Sequence, residues 1–336
     1  MTNSQAPKVS VVLPFYNAKQ TLEKAVRSIL NQTFHDFELI LVNNNSTDES
    51  NRISLLMASE DGRIQVLQEP RQGVTFAANT GNVAAKGQYI ARMDADDFSH
   101  PARLEKQVEL LDANPEIGVT SCLVQHIGHQ ANTNGLYKFV EWTNSIQQAD
   151  EIALNCFIEA PIINPTVLFR RELLDLHGGY IHGDFPEDYE MWLRWINNGV
   201  KIQKVPEVLF DWHDSDSRLT RTDERYSTEA FYRTKTEHLA KWLLENNHPY
   251  IWVWGAGRIT RQRAKLLQEK GIWIEGYIDV KERKLLDACC IAYENFNWDA
   301  PAFFLSYVAN WGARDEIRNY LIAKGKIEGE DFILIA

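Results

Sequence analysis

Hydrophobic positions follow two periods along the first hundred residues. Val9–Leu13 is a continuous apolar run closed by Pro14, as expected of a buried strand. Leu22, Ala25, Val26, Ile29 and Leu30 then recur at helical spacing and give one buried stripe. Phe37–Val42 predicts a second strand, and Ile64–Leu67 and Tyr89–Met93 predict two more around a helix near residues 74–86. Strands that alternate with helices imply βαβ units in a mostly parallel sheet with right-handed crossovers. The loops 14–17, 43–48 and 94–97 each follow the C-terminal end of a strand. They are therefore expected to converge on one crevice, where ligands of open α/β sheets bind.

Beyond residue 100 the pattern becomes irregular. Thr166–Phe169 is a short apolar run, and Gly178-Gly179-Tyr180 punctuates the chain before an acidic helix start at Glu187-Asp188-Tyr189-Glu190. Helical spacing resumes through Ala230, Leu239, Trp242 and Leu243 and ends at Asn246-Asn247-His248-Pro249. Tyr250–Trp254 then predicts a strand leading into Gly255-Ala256-Gly257-Arg258 and a helix to about Lys270. Ile272–Ile278, Ala302–Val308 and Phe332–Ile335 predict further strands. The glycines, with Asp279 some way on, partly match a dinucleotide fingerprint. Thr260 replaces its third glycine, and the segment is short for a complete two-half domain, so packing or assembly explains it at least as well.

Composition narrows the function classes. The 336 residues exceed one typical domain, and 44% hydrophobic with 24% charged residues suits a soluble globular protein. The net charge of −11 argues against a nucleic-acid surface. Residues 249–336 carry equal numbers of acidic and basic side chains, so the whole imbalance lies before them. That shift supports a boundary near residue 248. Cys122, Cys156, Cys289 and Cys290 show no metal-ligand spacing, no apolar run reaches the length of a membrane span, and the N-terminal stretch lacks the basic and apolar regions of a signal peptide. A reduced, cytoplasmic protein is expected.

Two acidic clusters carry the candidate chemistry. In Arg92-Met93-Asp94-Ala95-Asp96-Asp97 a strand stops on three carboxylates. Asp94 and Asp96 lie two apart, so an extended backbone points both the same way, towards a hard cation such as Mg²⁺ or Mn²⁺. The plainer reading is that Asp97 and Ser99 only prepare the helix opened by Pro101. Glu187, Asp188 and Glu190 suit the positive end of a helix, and they equally suit a rigid carboxylate at the rim of a site. Trp192 is read either as core or as a face for sugar C–H surfaces.

With Pro14-Phe15-Tyr16-Asn17, Asn45-Ser46-Thr47-Asp48, the Gly73–Asp97 block, Pro101–Gln107, Asn164-Pro165-Thr166, Gly178-Gly179-Tyr180 and Glu187–Arg194 in this order, the chain from Lys8 to Arg221 resembles the family 2 glycosyltransferases. The resemblance implies an α/β fold: an A-type glycosyltransferase nucleotide-sugar-binding domain with a mostly parallel mixed sheet, followed here by a small α/β Rossmann-like domain. The implied division is a catalytic domain at 1–221, a helical linker at 222–248 and the small domain at 249–336. The implied activity is metal-dependent transfer of a sugar from a nucleotide-sugar donor to a hydroxyl acceptor, with inversion in one displacement.

The same resemblance assigns Asp96 as the direct metal ligand and Asp94 as a ribose contact. The metal, Mn²⁺ or Mg²⁺, would bridge the donor diphosphate and neutralise charge on the leaving group. Asp188 matches the general base, with Glu187 and Trp192 at the acceptor side. Pro14, Tyr16 and Asn43 match the nucleoside edge. Asn43 stands where the family commonly has Asp, which weakens the case for UDP. Arg71 is a candidate contact for a phosphate or only for a surface carboxylate, His213 is read as a metal ligand, a phosphate contact or a packed histidine, and Arg218 and Arg221 are alternative diphosphate partners.

The implied setting is surface polysaccharide or glycoconjugate assembly. The acceptor would be a glycan end, a lipid-linked sugar or a protein, and a lipid-linked acceptor would need peripheral contact at the inner face of the membrane. The neutral, aromatic-rich C-terminal segment is compatible with a homo-oligomer. A sugar-phosphate nucleotidyltransferase would be expected to carry a Gly-rich loop after the first strand, which Pro14–Asn17 does not supply. A noncatalytic nucleotide- or carbohydrate-binding protein would not need Asp94, Asp96 and Asp188 together.

Overall fold

Every apolar run before residue 100 is a strand, and the runs in Val9–Phe15, Phe37–Asn43 and Tyr89–Arg92 are buried at nearly every position, which is why they are continuous rather than alternating. The computed structural model describes residues 6–128, 134–214, 218–285 and 288–336. The chain divides into two compact units, Met1–Ile152 with Pro161–Asp223, and Ala153–Ala160 with Glu224–Ala336. Among the described residues, no helix is long and apolar enough to cross a membrane.

The first unit holds β1 (Val9–Phe15), β2 (Phe37–Asn43), β3 (Ile64–Gln68), β4 (Tyr89–Arg92), β5 (Phe98–Ser99), β6 (Ile117–Ile127), β7 (Leu168–Arg170) and β8 (Lys201–His213). Their order in the sheet is β3-β2-β1-β4-β7-β6-β8-β5. The four strands β3, β2, β1 and β4 are mutually parallel, whereas β7 runs antiparallel between β4 and β6. The sheet is therefore mixed and mostly parallel.

Pro14 does not end the first strand. β1 runs on to Phe15, with Pro14 paired in register to Val42. Pairing to β4 has already stopped at Val12. The missing N–H of proline therefore faces no ladder partner on that side, which is the condition under which a strand accepts proline.

Two long strands, β6 and β8, fill the stretch whose pattern is irregular in sequence. They pair in parallel with register shifts, one of them between Cys122–Val205 and Leu123–Val208. Pro206 and Glu207 fall in that shift, so the extra residues bulge out instead of breaking the sheet. β8 then returns to the crevice and carries His213 to the acidic loop.

The helix Val74–Ala84 lies close against β1 and β2. The approach depends on Gly81, where an added Cβ would come within 2.3 Å of Val12 Cγ1 and 3.3 Å of Val42 Cγ2.

The second unit holds a separate, fully parallel sheet of β9 (Tyr250–Trp254), β10 (Trp273–Asp279), β11 (Cys289–Ala292), β12 (Phe303–Ser306) and β13 (Phe332–Leu334). Its order is β11-β10-β9-β12-β13. The helix Thr228–Glu245, read in sequence as part of a linker, groups with this unit. Its Ser227 cap accepts from the Ala230 N–H.

Gly81→Ala is expected to lower unfolding free energy by about 1–3 kcal/mol, since β-branched Val12 is stiff and cannot move aside. The helix-propensity gain of alanine offsets only part of this. Gly62→Ala, where a Cβ meets nothing within 4 Å, is expected to shift stability by less than about 0.5 kcal/mol. Paired urea titrations of the two variants check the difference.

Candidate active site

The end of β4 delivers three carboxylates in four residues. Oxygens of Asp94, Asp96 and Asp97 all lie within 4.8 Å of one another. Beneath them sits Arg92, 2% exposed, which pairs with Asp94 at 2.7 Å and donates to the carbonyl of Met93. Burial works against the charge of Arg92, and Asp94, Tyr180 and Glu187 more than restore it. Arg103, also fully buried, donates to the Arg92 and Val167 carbonyls and fixes the strand end from behind.

Asp97 faces inward and accepts the backbone N–H of His213 at 2.8 Å, which ties the end of β8 to the loop. Asp96 reaches solvent, yet its carboxyl is raised above the ordinary range, first by the protein around it and then by the charge of Asp94. Burial and both neighbouring carboxylates raise Asp97 further. Arg218, stacked 3.9 Å over Trp212 and donating to the His213 carbonyl, opposes this with positive charge.

This donor set fits a hard divalent cation: three crowded oxygens whose mutual repulsion a positive ion would relieve. The His213 ring stands one step away. Its Nδ1 is buried without a hydrogen-bond partner and lies 4.0 Å from Asp97 Oδ1, while its Nε2 is 3.4 Å from Lys24 Nζ. The sequence reading treated Asp97 mainly as preparation for a helix and missed its hold on His213. The signal that would have found it is the strand end at His213, itself hidden by the charged pattern of β8.

The second acidic group opens the helix Glu187–Asn197. Glu187 is buried, whereas Asp188 keeps some solvent contact and accepts the N–H of Tyr189. Asp188 is pushed up to about 7, chiefly by desolvation and then by Glu187, with a further contribution from Asp94. The structure thus brings the two acidic clusters into one electrostatic neighbourhood. Tyr180 lies among them, donating to Asn164 Oδ1 and feeling Arg92, Asp188, Glu187 and Asp94.

Trp192 requires a correction. It is 1% exposed and packs edge-to-face on Trp195 with ring centroids 5.6 Å apart, so its ring is core and offers no face to a sugar. Apolar spacing along the helix places it inward, and that periodicity outweighs the affinity of tryptophan for sugars.

The nucleoside-side candidates sit on a rigid edge built from asparagines. Tyr16 is 51% exposed at the end of β1, with Pro14 buried beneath. Asn17 and Asn45 adopt positive φ, which asparagine tolerates better than most residues. The Asn17 side chain accepts the Thr47 N–H, and Asn44 accepts the Gly73 N–H while donating to the Glu69 and Arg71 carbonyls. Asn43 is 4% exposed, accepts the Ser46 N–H, and donates to Gln68 and Asn51. Arg71 is held by both oxygens of Glu69, whose carboxyl is pushed down to about 2, first by that contact. Arg221 is likewise engaged, by Asp214.

Comparison with known proteins bears on the family and the fold. The family model Glycosyl transferase family 2 matches residues 10–178, half of the chain. The O-antigen biosynthesis glycosyltransferase WbnJ of Escherichia coli is 28% identical over 240 residues, covering 70% of this chain and 89% of WbnJ. Among solved structures, Staphylococcus aureus TarS 1-349 in complex with UDP-GlcNAc superposes with a TM-score of 0.55 at 18% identity, covering 78% of this chain and 71% of that one. The mannosyltransferase PcManGT from Pyrobaculum calidifontis, in complex with GDP-Man and Mn²⁺, gives 0.51 at 20% identity over 80% and 70%. At these identities the two structures establish a shared fold.

The raised Asp188 has a consequence for stability. Its charged form is penalised in the folded state, so the penalty is absent below the ordinary carboxylate range and complete above about 7. Asp188→Asn is therefore expected to be more stable than the parent at pH 8, with the gap closing as pH falls towards 4. Thermal unfolding across that range, with chelator present, checks it. A gap independent of pH would show that Asp188 carries no such penalty.

Proposed function

The chain belongs to glycosyl transferase family 2, and we propose that it transfers a sugar, with inversion, from a nucleotide-sugar donor to an acceptor hydroxyl with the help of a divalent cation. The observation that carries this reading is the pairing of a cation-seeking carboxylate cluster with a separate carboxylate poised near neutrality. Asp96 would hold Mn²⁺ or Mg²⁺, with Asp94 and Asp97 beside it and the unpartnered His213 Nδ1 in support. When bound, the ion supplies positive charge against the donor diphosphate and the charge that develops on the leaving group.

Arg92 keeps Asp94 ionised and oriented, and Asp97 anchors β8 beside it. Tyr16 offers an exposed ring to the nucleoside. Asn43, already committed to Gln68 and Asn51, shapes the base edge and leaves the nucleotide open. The two solved relatives carry different nucleotides, UDP and GDP. Arg71 reaches a phosphate only by sharing its guanidinium with Glu69.

Asp188 acts on the acceptor. A carboxyl titrating near 7 is half ionised at neutral pH and basic enough to take a proton from a hydroxyl as that oxygen attacks the anomeric carbon. Glu187, beside it, keeps its affinity for protons high. A single base acting on the acceptor suits one displacement.

The setting of WbnJ, O-antigen biosynthesis, supports a role in surface polysaccharide or glycoconjugate assembly. The acceptor is then a glycan end, a lipid-linked sugar or a protein, reached at the inner face of a membrane where it is lipid-linked. The catalytic machinery lies within residues 1–221, and residues 249–336 serve assembly or stability.

Asp96→Ala is expected to abolish metal-dependent donor binding, measured by calorimetry, while leaving thermal unfolding of the ligand-free protein unchanged or raised, because the charge of Asp96 is itself disfavoured in the fold. Metal-dependent affinity preserved in that variant removes Asp96 from this role.

Asp188→Asn is expected to keep donor and metal affinity while transfer falls by about 10²-fold or more, the usual scale of a positioned base. Its pH–rate profile should also lose the acidic limb. Parental transfer rates place the base elsewhere, with Glu187 next to be tested; a collapse of donor affinity instead assigns Asp188 to donor binding.

A further inference from the structure

The loop that leads to Asp188 is fastened at its start to the helix it opens. Arg194 donates to the carbonyls of His177, Gly178 and Gly179, and Trp195 Nε1 donates to that of Gly178 at 3.0 Å. Further along, the loop is fastened to a different element, the helix Val74–Ala84. Asn79 donates to the Tyr180 carbonyl at 2.7 Å and accepts the Tyr180 N–H at 3.1 Å. The approach is so close that a Cβ on Gly179 would lie 2.7 Å from Asn79 Oδ1. Next along the loop, the exposed ring of His182 packs on Phe76, one helical turn before Asn79, with ring centroids 4.6 Å apart.

Phe76 has a second neighbour of a different kind. The guanidinium of Arg71 lies 4.7 Å from the centre of the same ring. Its Nε and Nη2 donate to the two oxygens of Glu69, and Thr80, one turn beyond Phe76, donates to Glu69 in turn. The guanidinium is thus held along its edge by Glu69 and over a ring by Phe76, while the side chain stays 65% exposed. Nη1 is left to meet a ligand. One ring therefore carries both a group from the donor edge and a group from the loop ahead of Asp188.

We propose that Phe76 is a positioning residue that couples the two substrate sides. It sets the Arg71 guanidinium for a donor phosphate and, through His182, holds the loop that runs on to Asp188. This deepens the function proposed above and rests on it. An aromatic ring can do both, because a guanidinium is drawn to its face and a second ring packs against it. An aliphatic side chain of similar volume fills the same space and orients neither neighbour. A phosphate that draws on Arg71 is then felt at His182, although the two residues share no direct contact.

The test is NMR of the full chain, following the His182 ring signals, paired with calorimetric titration of pyrophosphate and of UDP in Mg²⁺. The His182 signals are identified by their loss in His182→Gln. In the parent they are expected to shift as either ligand saturates. The shift should persist in Phe76→Tyr and vanish in Phe76→Leu. It should vanish equally in Arg71→Gln, where the ring is intact. Affinity is expected to fall about two- to fivefold in Phe76→Leu, the scale of an exposed cation–π contact, and to return in Phe76→Tyr. His182→Gln should bind as the parent does, since the ring meets the ligand only through Phe76. If the parent binds neither ligand, the donor reading and this proposal fall together. If a ligand binds while His182 stays silent, shifts equally in Phe76→Leu, or proves necessary for affinity, the proposal alone is overturned.

Discussion

Repulsion among three carboxylates is the constraint around which the first unit is built. Asp94, Asp96 and Asp97 are drawn within 4.8 Å of one another at the end of a buried strand, where like charges raise one another's affinity for protons. The fold answers part of this. Arg92 pairs with Asp94 from below, Arg103 locks the backbone of Arg92, the N–H of His213 meets Asp97, and Arg218 adds charge from the end of β8. Asp96 and Asp97 nevertheless remain shifted towards their protonated forms. The cluster is held together against its own field, which is the arrangement of a site awaiting positive charge.

The same field reaches the helix that begins at Glu187. Asp94 contributes to the raised affinity of Asp188 for protons, and Glu187 contributes more. On the function proposed, environment separates two chemical tasks: carboxylates crowded enough to favour a cation, and a carboxylate desolvated enough to act as a base near neutral pH. Tyr180 and Arg92 lie among these groups and link them through buried contacts. The cost falls on stability, because a carboxylate that ionises unwillingly weakens the fold that contains it.

The strands that end at this site were legible because they are buried on both faces. Val9–Leu13, Phe37–Val42 and Tyr89–Met93 show as continuous apolar runs, and the acidic loop follows the last of them directly. β6 and β8 were not legible. Thr120, Ser121, Gln125 and His126 dilute the first, and Lys201, Lys204, Pro206 and Glu207 the second, although Lys204 is buried against the carbonyl and hydroxyl of Thr143. The inward role of Asp97 depends on β8 and was lost with it. Trp192 shows a different limit, since residue type suggested a sugar platform while helical periodicity placed the ring in the core.

The central claim is that Asp96 and its neighbours seat a divalent cation against a donor diphosphate. The most direct measurement is anomalous diffraction from crystals grown with Mn²⁺ and a nucleoside diphosphate. The account predicts one strong peak within bonding distance of the Asp96 carboxylate, with the diphosphate oxygens on its far side. A diphosphate bound with no peak at Asp96, or manganese bound only elsewhere on the chain, would contradict it.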